Sequence, residues 1–201
     1  MTPKNLMRLV GAALAAVLCG LFVLAQGQGL VRVVIQTELG NIEADIDTRR
    51  APITAANFLK YVDEGYWVDS RFHRTVKLDG DQRPNPDVPI EVVQASLNPE
   101  KAEKQFPPIP LERTSQTGIL HKNGTLSMAR GMPDTARASF SILINDRPSM
   151  DFGGKRNPDG QGFAAFGQVV SGMDVAKKIQ AAPAEGQNLT PPIRILNIRR
   201  K

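Results

Sequence analysis

Apolar and polar residues alternate in two short runs early in the chain, Val31, Val33, Ile35 and then Ile42, Ala44, Ile46, with Leu39-Gly40-Asn41 between them. A period of two on either side of a glycine-containing turn predicts a β-hairpin. From Pro52 to Glu64 the period becomes helical: Ala55, Phe58, Leu59 and Val62 share a side, Pro52 suits the first helical position and Gly65 marks the stop. A second helix is predicted from about Met173 to Ala181, with Met173, Ala176 and Ile179 inward and Pro183 beyond its end. Short strands are expected around 72–76, 91–95, 124–129, 139–145 and 164–170, with a last one over 193–199. Many short strands with two helices suggest a mainly β protein built as a closed barrel capped at its ends.

Within this pattern the stretch Asp69-Ser-Arg-Phe-His-Arg-Thr-Val76 is unusual, because alternation puts Phe72, Arg74 and Val76 on one strand face. An arginine among apolar neighbours has two uses. It can be a structural partner held by a carboxylate, or it can line a cleft and donate hydrogen bonds to a bound carbonyl or amide. Spacing alone favours the structural partner, which is the commoner of the two. His73 is expected on the opposite face, in a structural role.

Composition changes the picture mainly at the N-terminus. Lys4 and Arg8 precede an uncharged run from Leu9 to Ala25 that ends in Val23-Leu24-Ala25, the pattern of a secretory signal peptide. Residues 1–25 are read as that signal and 26–201 as one domain, exported and periplasmic; the alternative is a membrane anchor formed by residues 9–25. The formal net charge is +5, and loss of Lys4 and Arg8 lowers it by two to +3, too mild to argue for nucleic acid. The basic end Arg194, Arg199, Arg200, Lys201 alternates with Ile193, Ile195 and Ile198 and reads as a strand with a solvated face. Cys19 is the only cysteine, so removal of the signal leaves no disulfide, thiol nucleophile or thiolate metal site.

Two loops stand out. Phe152 to Gly162 is rich in glycine, but Phe163 to Val170 directly after it is strand-like, so the loop reads as a long turn and not a phosphate cradle. Lys77 to Pro89 carries Asp79, Asp81 and Asp87 at a spacing that fits no metal loop, and reads as a solvated excursion outside the barrel. No metal or cofactor is expected.

An ordered series of motifs changes the weight given to Arg74. Gly40-Asn-Ile-Glu43, Ala51-Pro-Ile-Thr-Ala-Ala-Asn-Phe58, Phe72-His-Arg74, Gly124-Thr-Leu-Ser-Met-Ala-Arg130, Phe166-Gly-Gln-Val169 and Gly172-Met-Asp-Val175 resemble, in order, the motifs of cyclophilin-type peptidyl-prolyl isomerases over about residues 31–200. The resemblance implies an eight-stranded antiparallel barrel with a helix at each mouth, and makes the segment at about 77–89 an insertion. It also implies that Arg74 is catalytic. Gln94 matches the glutamine that holds both the substrate backbone and the arginine. Val92, Met128, Ala129, Phe140, Ser141, Met150 and Phe163 fall at positions of the peptide groove and proline pocket, while the family's aromatic beside Val92 falls at Glu91. Ser141 and Ser149 stand where the family has aromatic residues.

The function so implied is rotation about Xaa-Pro bonds during protein folding in the cell envelope, by a monomer acting on proline-containing polypeptides. The alternative is a chaperone-like or scaffold module on the same barrel with little or no turnover. Arg74 and Gln94 favour the first; Glu91, Ser141 and Ser149 favour the second. A hydrolase is remote, since no Ser, His, Asp series stands out along the chain.

Overall fold

The computed structural model describes residues 29–201, and the expected signal peptide lies outside them. The hairpin forms as the alternation requires. Strand β1 (Leu30–Thr37) pairs antiparallel with β2 (Gly40–Asp47), with Val33 opposite Ala44 and Ile35 opposite Ile42, all fully buried. At the turn, the Thr37 hydroxyl donates to the Gly40 carbonyl at 2.7 Å and accepts from the Leu39 amide at 3.2 Å.

The remaining strands are β3 (Ser70–Val76), β4 (Val92–Ser96), β5 (Thr125–Met128), β6 (Phe140–Leu143), β7 (Ala165–Ser171), β8 (Ala184–Glu185) and β9 (Asn188–Arg200). Pairing runs β1-β2-β7-β5-β6-β4-β3-β9, and β9 returns to β1 with Ile35 opposite Ile198. Eight antiparallel strands therefore close on themselves and leave no free edge in the wall. The two-residue β8 adds a short flap on β9.

Helix α1 (Pro52–Asp63) begins without a capping side chain of its own. Its first amides are met instead by the Glu112 carboxylate, which accepts from Ile53 N at 3.1 Å and Thr54 N at 2.7 Å. A carboxylate there satisfies two otherwise unpaired donors and faces the positive end of the helix dipole. Two four-residue helices, α2 (Pro99–Ala102) and α3 (Thr114–Thr117), add to the two expected from periodicity, being too short to show one. Helix α4 (Met173–Ala181) buries Val175, Ala176 and Ile179. It starts at Gly172, where φ is +86° and a Cβ would lie 2.3 Å from the Asn41 carbonyl oxygen, so only glycine fits.

Apolar side chains fill the barrel. Phe58 of α1 meets Phe140 edge-on at 5.4 Å between ring centroids and Phe166 at 5.2 Å, and Trp67 meets Phe140 at 5.1 Å. A second, smaller cluster of Val76, Ile90, Val92, Leu143 and Met150, with Phe163 packed against it, sits on the outer side of the wall. The candidate site is built on this outer cluster.

Candidate active site

Arg74 reaches that outer side because β3 does not alternate regularly. Phe72 stands opposite Ala95 on β4 and Arg74 opposite Gln94, so His73 is an extra residue in a β-bulge. Phe72 is fully buried in the barrel, whereas Arg74 and Val76 face outward. The expectation that Phe72 and Arg74 share one face is thus corrected: the bulge inverts the parity between them. The His73 ring is largely buried, and its Nδ1 has no hydrogen-bond partner. Burial, followed by the charges of Arg74 and Arg71, pushes its pKa down to about 4.

The guanidinium of Arg74 is held entirely by neutral acceptors. Its Nη1 donates to Gln94 Oε1 at 2.7 Å, its Nε to Gln187 Oε1 at 2.6 Å, and its Nη2 stands 3.5 Å from the Arg83 carbonyl oxygen. Among the described residues no carboxylate forms a salt bridge with it. Burial pulls its pKa down, with Asp81 opposing, but a guanidinium stays charged. Of the two uses weighed from spacing, a structural partner held by a carboxylate is not what these contacts show.

In front of Arg74 lies a cavity of about 160 Å³. Gln94, Val92, Ser141 and Met150 line it, as do Met128, Ala129 and Phe163. Ser141 of β6 stands directly opposite Gln94 in register, and also opposite Ser127 of β5. Val92, Met128 and Met150 are at most 3% exposed and form an apolar surface large enough for a small ring. Phe140 is the exception among the expected groove residues. It is fully buried inside the barrel, because β6 alternates regularly and Ser141 takes the outward position beside it.

Residues flanking the strands complete the geometry. Ile90 occupies the apolar corner beside Val92, while Glu91 turns away to bind Asn145 Nδ2 at 2.7 Å and Arg147. Arg130 lies over the Phe163 ring, 5.2 Å from its centroid, and donates to Gly162 and Asp159. Arg156, only 3% exposed, lies at the rim among the carbonyls of the loop before β4.

The sequence model described as "Cyclophilin type peptidyl-prolyl cis-trans isomerase/CLD" matches residues 32–200. The chain belongs to that family. It is 30% identical over 193 residues to a peptidyl-prolyl cis-trans isomerase of Acinetobacter baylyi, an alignment covering 93% of this chain and 94% of the relative. It is 31% identical over 152 residues to peptidyl-prolyl cis-trans isomerase B of Escherichia coli, covering 74% and 83%. A crystal structure of a Cryptosporidium parvum cyclophilin-type isomerase in the presence of the dipeptide Ala-Pro superposes with a TM-score of 0.67 at 20% identity, covering 85% of this chain and 98% of that one.

In this cyclophilin the loop between β3 and β4 is mostly exposed, as expected of a solvated excursion, and is anchored through one buried side chain. It carries no strand and leaves the barrel wall, but the Gln82 side chain, 7% exposed, donates to the carbonyls of Lys77 and Ile90 and accepts from the Ile90 amide. Of the acids considered there, Asp81 is paired with Arg83, which holds its carboxyl below the usual range.

The structure also assembles a Ser, His, Asp series that the chain order concealed. His121 Nε2 lies 2.8 Å from Ser127 Oγ and its Nδ1 lies 2.7 Å from Asp151 Oδ1. The His121 amide donates to the same Asp151 oxygen at 3.0 Å. Ser127, 1% exposed, lines the floor of the cavity, and the relay ties that floor to Asp151, next to the Pro148–Met150 turn that carries Met150. Gln187, Ile90 and Arg156 carry no signal in the sequence, since none lies in a motif and each is placed by contacts distant along the chain.

Proposed function

We propose that Arg74 is the catalytic residue of this peptidyl-prolyl isomerase and that Gln94 orients it, with Val92, Met128, Met150 and Phe163 receiving the proline ring. The carrying observation is the half-buried guanidinium, without an acid partner among the described residues, lining a cavity with Val92, Met128, Met150 and Phe163. Rotation about an Xaa-Pro bond faces a barrier of roughly 18–20 kcal/mol because the nitrogen shares its lone pair with the carbonyl. Twisting the bond localises that lone pair on nitrogen. A fixed guanidinium then donates to it, an interaction absent from the planar ground state, so it lowers the barrier without tightening binding. No nucleophile or proton transfer is required.

Met128, Ala129 and Ser141 border the groove in this reading, and the substrates are flexible proline-containing polypeptides. The basic start, apolar run and small residue at Ala25 support action on exported chains in the periplasm, and the acting form in this proposal is the monomer. Glu91, which as a pocket residue would favour a binding module, faces Arg147 instead, and Ile90 keeps the corner apolar. Exchange spectroscopy on a proline peptide with Arg74 variants tests the catalytic assignment, and the intact mass of the exported protein tests removal of residues 1–25.

A further inference from the structure

Arg74 is held at two nitrogens, and only one of the holders lies on the neighbouring strand. Gln94 fixes Nη1 from β4; Gln187 fixes Nε from the turn between β8 and β9, 113 residues further along the chain. One hydrogen bond to one end of a guanidinium leaves the plane free to swing about that contact. Two bonds to different nitrogens fix the plane, and with it the direction of Nη2.

Gln187 is itself oriented by its surroundings. Its Nε2 donates to the carbonyls of Asp81 at 2.7 Å and Arg83 at 2.9 Å, so its oxygen must face Arg74. The reversed amide would set its NH2 against the Arg74 donor and its oxygen against two carbonyls. Its backbone is tied as well, since the Gln187 carbonyl accepts from Thr75 N at 2.9 Å, one residue past Arg74.

The Arg83 carbonyl is the common point of the arrangement. Besides Gln187 Nε2 it receives Arg156 Nη2 at 3.2 Å and lies 3.5 Å from Arg74 Nη2. Arg156 also donates through Nη1 to the carbonyls of Asn85 at 2.7 Å and Val88 at 2.8 Å, so a buried cation from the glycine-rich loop grips the loop that orients Gln187.

We propose that Gln187 is a positioning residue for Arg74, and that Arg156 supports it by clamping the 77–91 loop against the groove. The proposal rests on the catalytic role assigned to Arg74, and acts through that residue alone. Its test is therefore made in two backgrounds, with kcat and KM measured by exchange spectroscopy on a proline peptide. In the otherwise unchanged protein, Gln187→Leu is expected to lower kcat roughly 10-fold with KM changed less than about twofold. In an Arg74→Ala background the same substitution should change kcat by less than about twofold, because nothing remains to be positioned. Arg156→Met should lower kcat by roughly threefold, again only when Arg74 is present. Equal falls in both backgrounds would overturn the proposal, as would a change confined to KM. A separate readout is the Arg74 Nε–H resonance, expected to resist solvent exchange in the unchanged protein and to lose that protection in Gln187→Leu. If the unchanged protein shows no turnover, the catalytic reading of Arg74 fails, and this resonance still decides whether Gln187 holds the side chain: unaltered protection in Gln187→Leu contradicts it.

Discussion

Gln94 and Arg74 face each other across the β3–β4 rung immediately after the His73 bulge, joined by a 2.7 Å hydrogen bond from guanidinium to amide oxygen. An amide in this position orients the cation without neutralising it, so the charge remains available to a substrate. Gln94→Leu removes the hold but keeps much of the volume. It should lower kcat/KM roughly 10-fold, about 1.4 kcal/mol in the transition state, with little change in melting temperature. Steady-state isomerisation alongside a melting curve checks both parts.

His73 gives the fold a pH dependence of definite sign. Burial holds its pKa near 4 in the folded protein, against an ordinary value of 6.5, so in acid the unfolded chain binds a proton that the folded chain refuses. The His73 contribution to stability is therefore complete above 6.5 and is lost as pH falls from there towards 4. Denaturant midpoints taken across that range should fall more steeply for the unchanged protein than for His73→Leu.

His121 bridges Ser127 and Asp151 through both ring nitrogens. His121→Leu would leave a buried hydroxyl and a largely buried carboxylate without their partner, at a cost of about 3 kcal/mol. Equilibrium unfolding measures it. Loss of stability with turnover per folded molecule reduced less than about threefold is the outcome expected of a relay that supports the floor and does no chemistry.

Phe140 tests the division between barrel interior and groove. Phe140→Leu opens space among Phe58, Trp67 and Phe72 and should cost roughly 1–2 kcal/mol. KM for a proline peptide should stay within about twofold, because the side chain does not border the cavity. Binding and unfolding measurements on one variant separate the two effects.

The parts of this molecule that are legible in its sequence are those fixed by local period. The β1–β2 hairpin, α1 from Pro52, α4 from Met173 and the strand carrying Gln94 arise from alternation and helix signals, and the motif series brings Arg74, Gln94, Val92, Met128, Met150 and Phe163 towards one site. The hidden parts depend on register or on distant contacts. A strict period of two cannot show that His73 is an extra residue, so it puts Phe72 on the wrong face. Phe140 and Ser141 are neighbours, and only the pairing of β6 with β4 and β5 tells which of them faces the groove. Glu112 caps a helix from 58 or more residues away, and Gln187 and Arg156 act through backbone carbonyls that any residue would supply.

The central claim is that Arg74 donates a hydrogen bond made only in the twisted state. Arg74→Ala should lower kcat/KM by roughly 100-fold, equivalent to about 2.7 kcal/mol, with peptide binding and melting temperature changed far less. Arg74→Lys should not restore turnover, because an ammonium lacks the planar fork that meets Gln94, Gln187 and the prolyl nitrogen together. The most direct measurement is the cis-trans exchange rate of a bound proline peptide by NMR, per folded molecule of each variant. Collapse of exchange in a folded, peptide-binding Arg74→Ala protein is the expected result, and an unchanged exchange rate in that protein would contradict it.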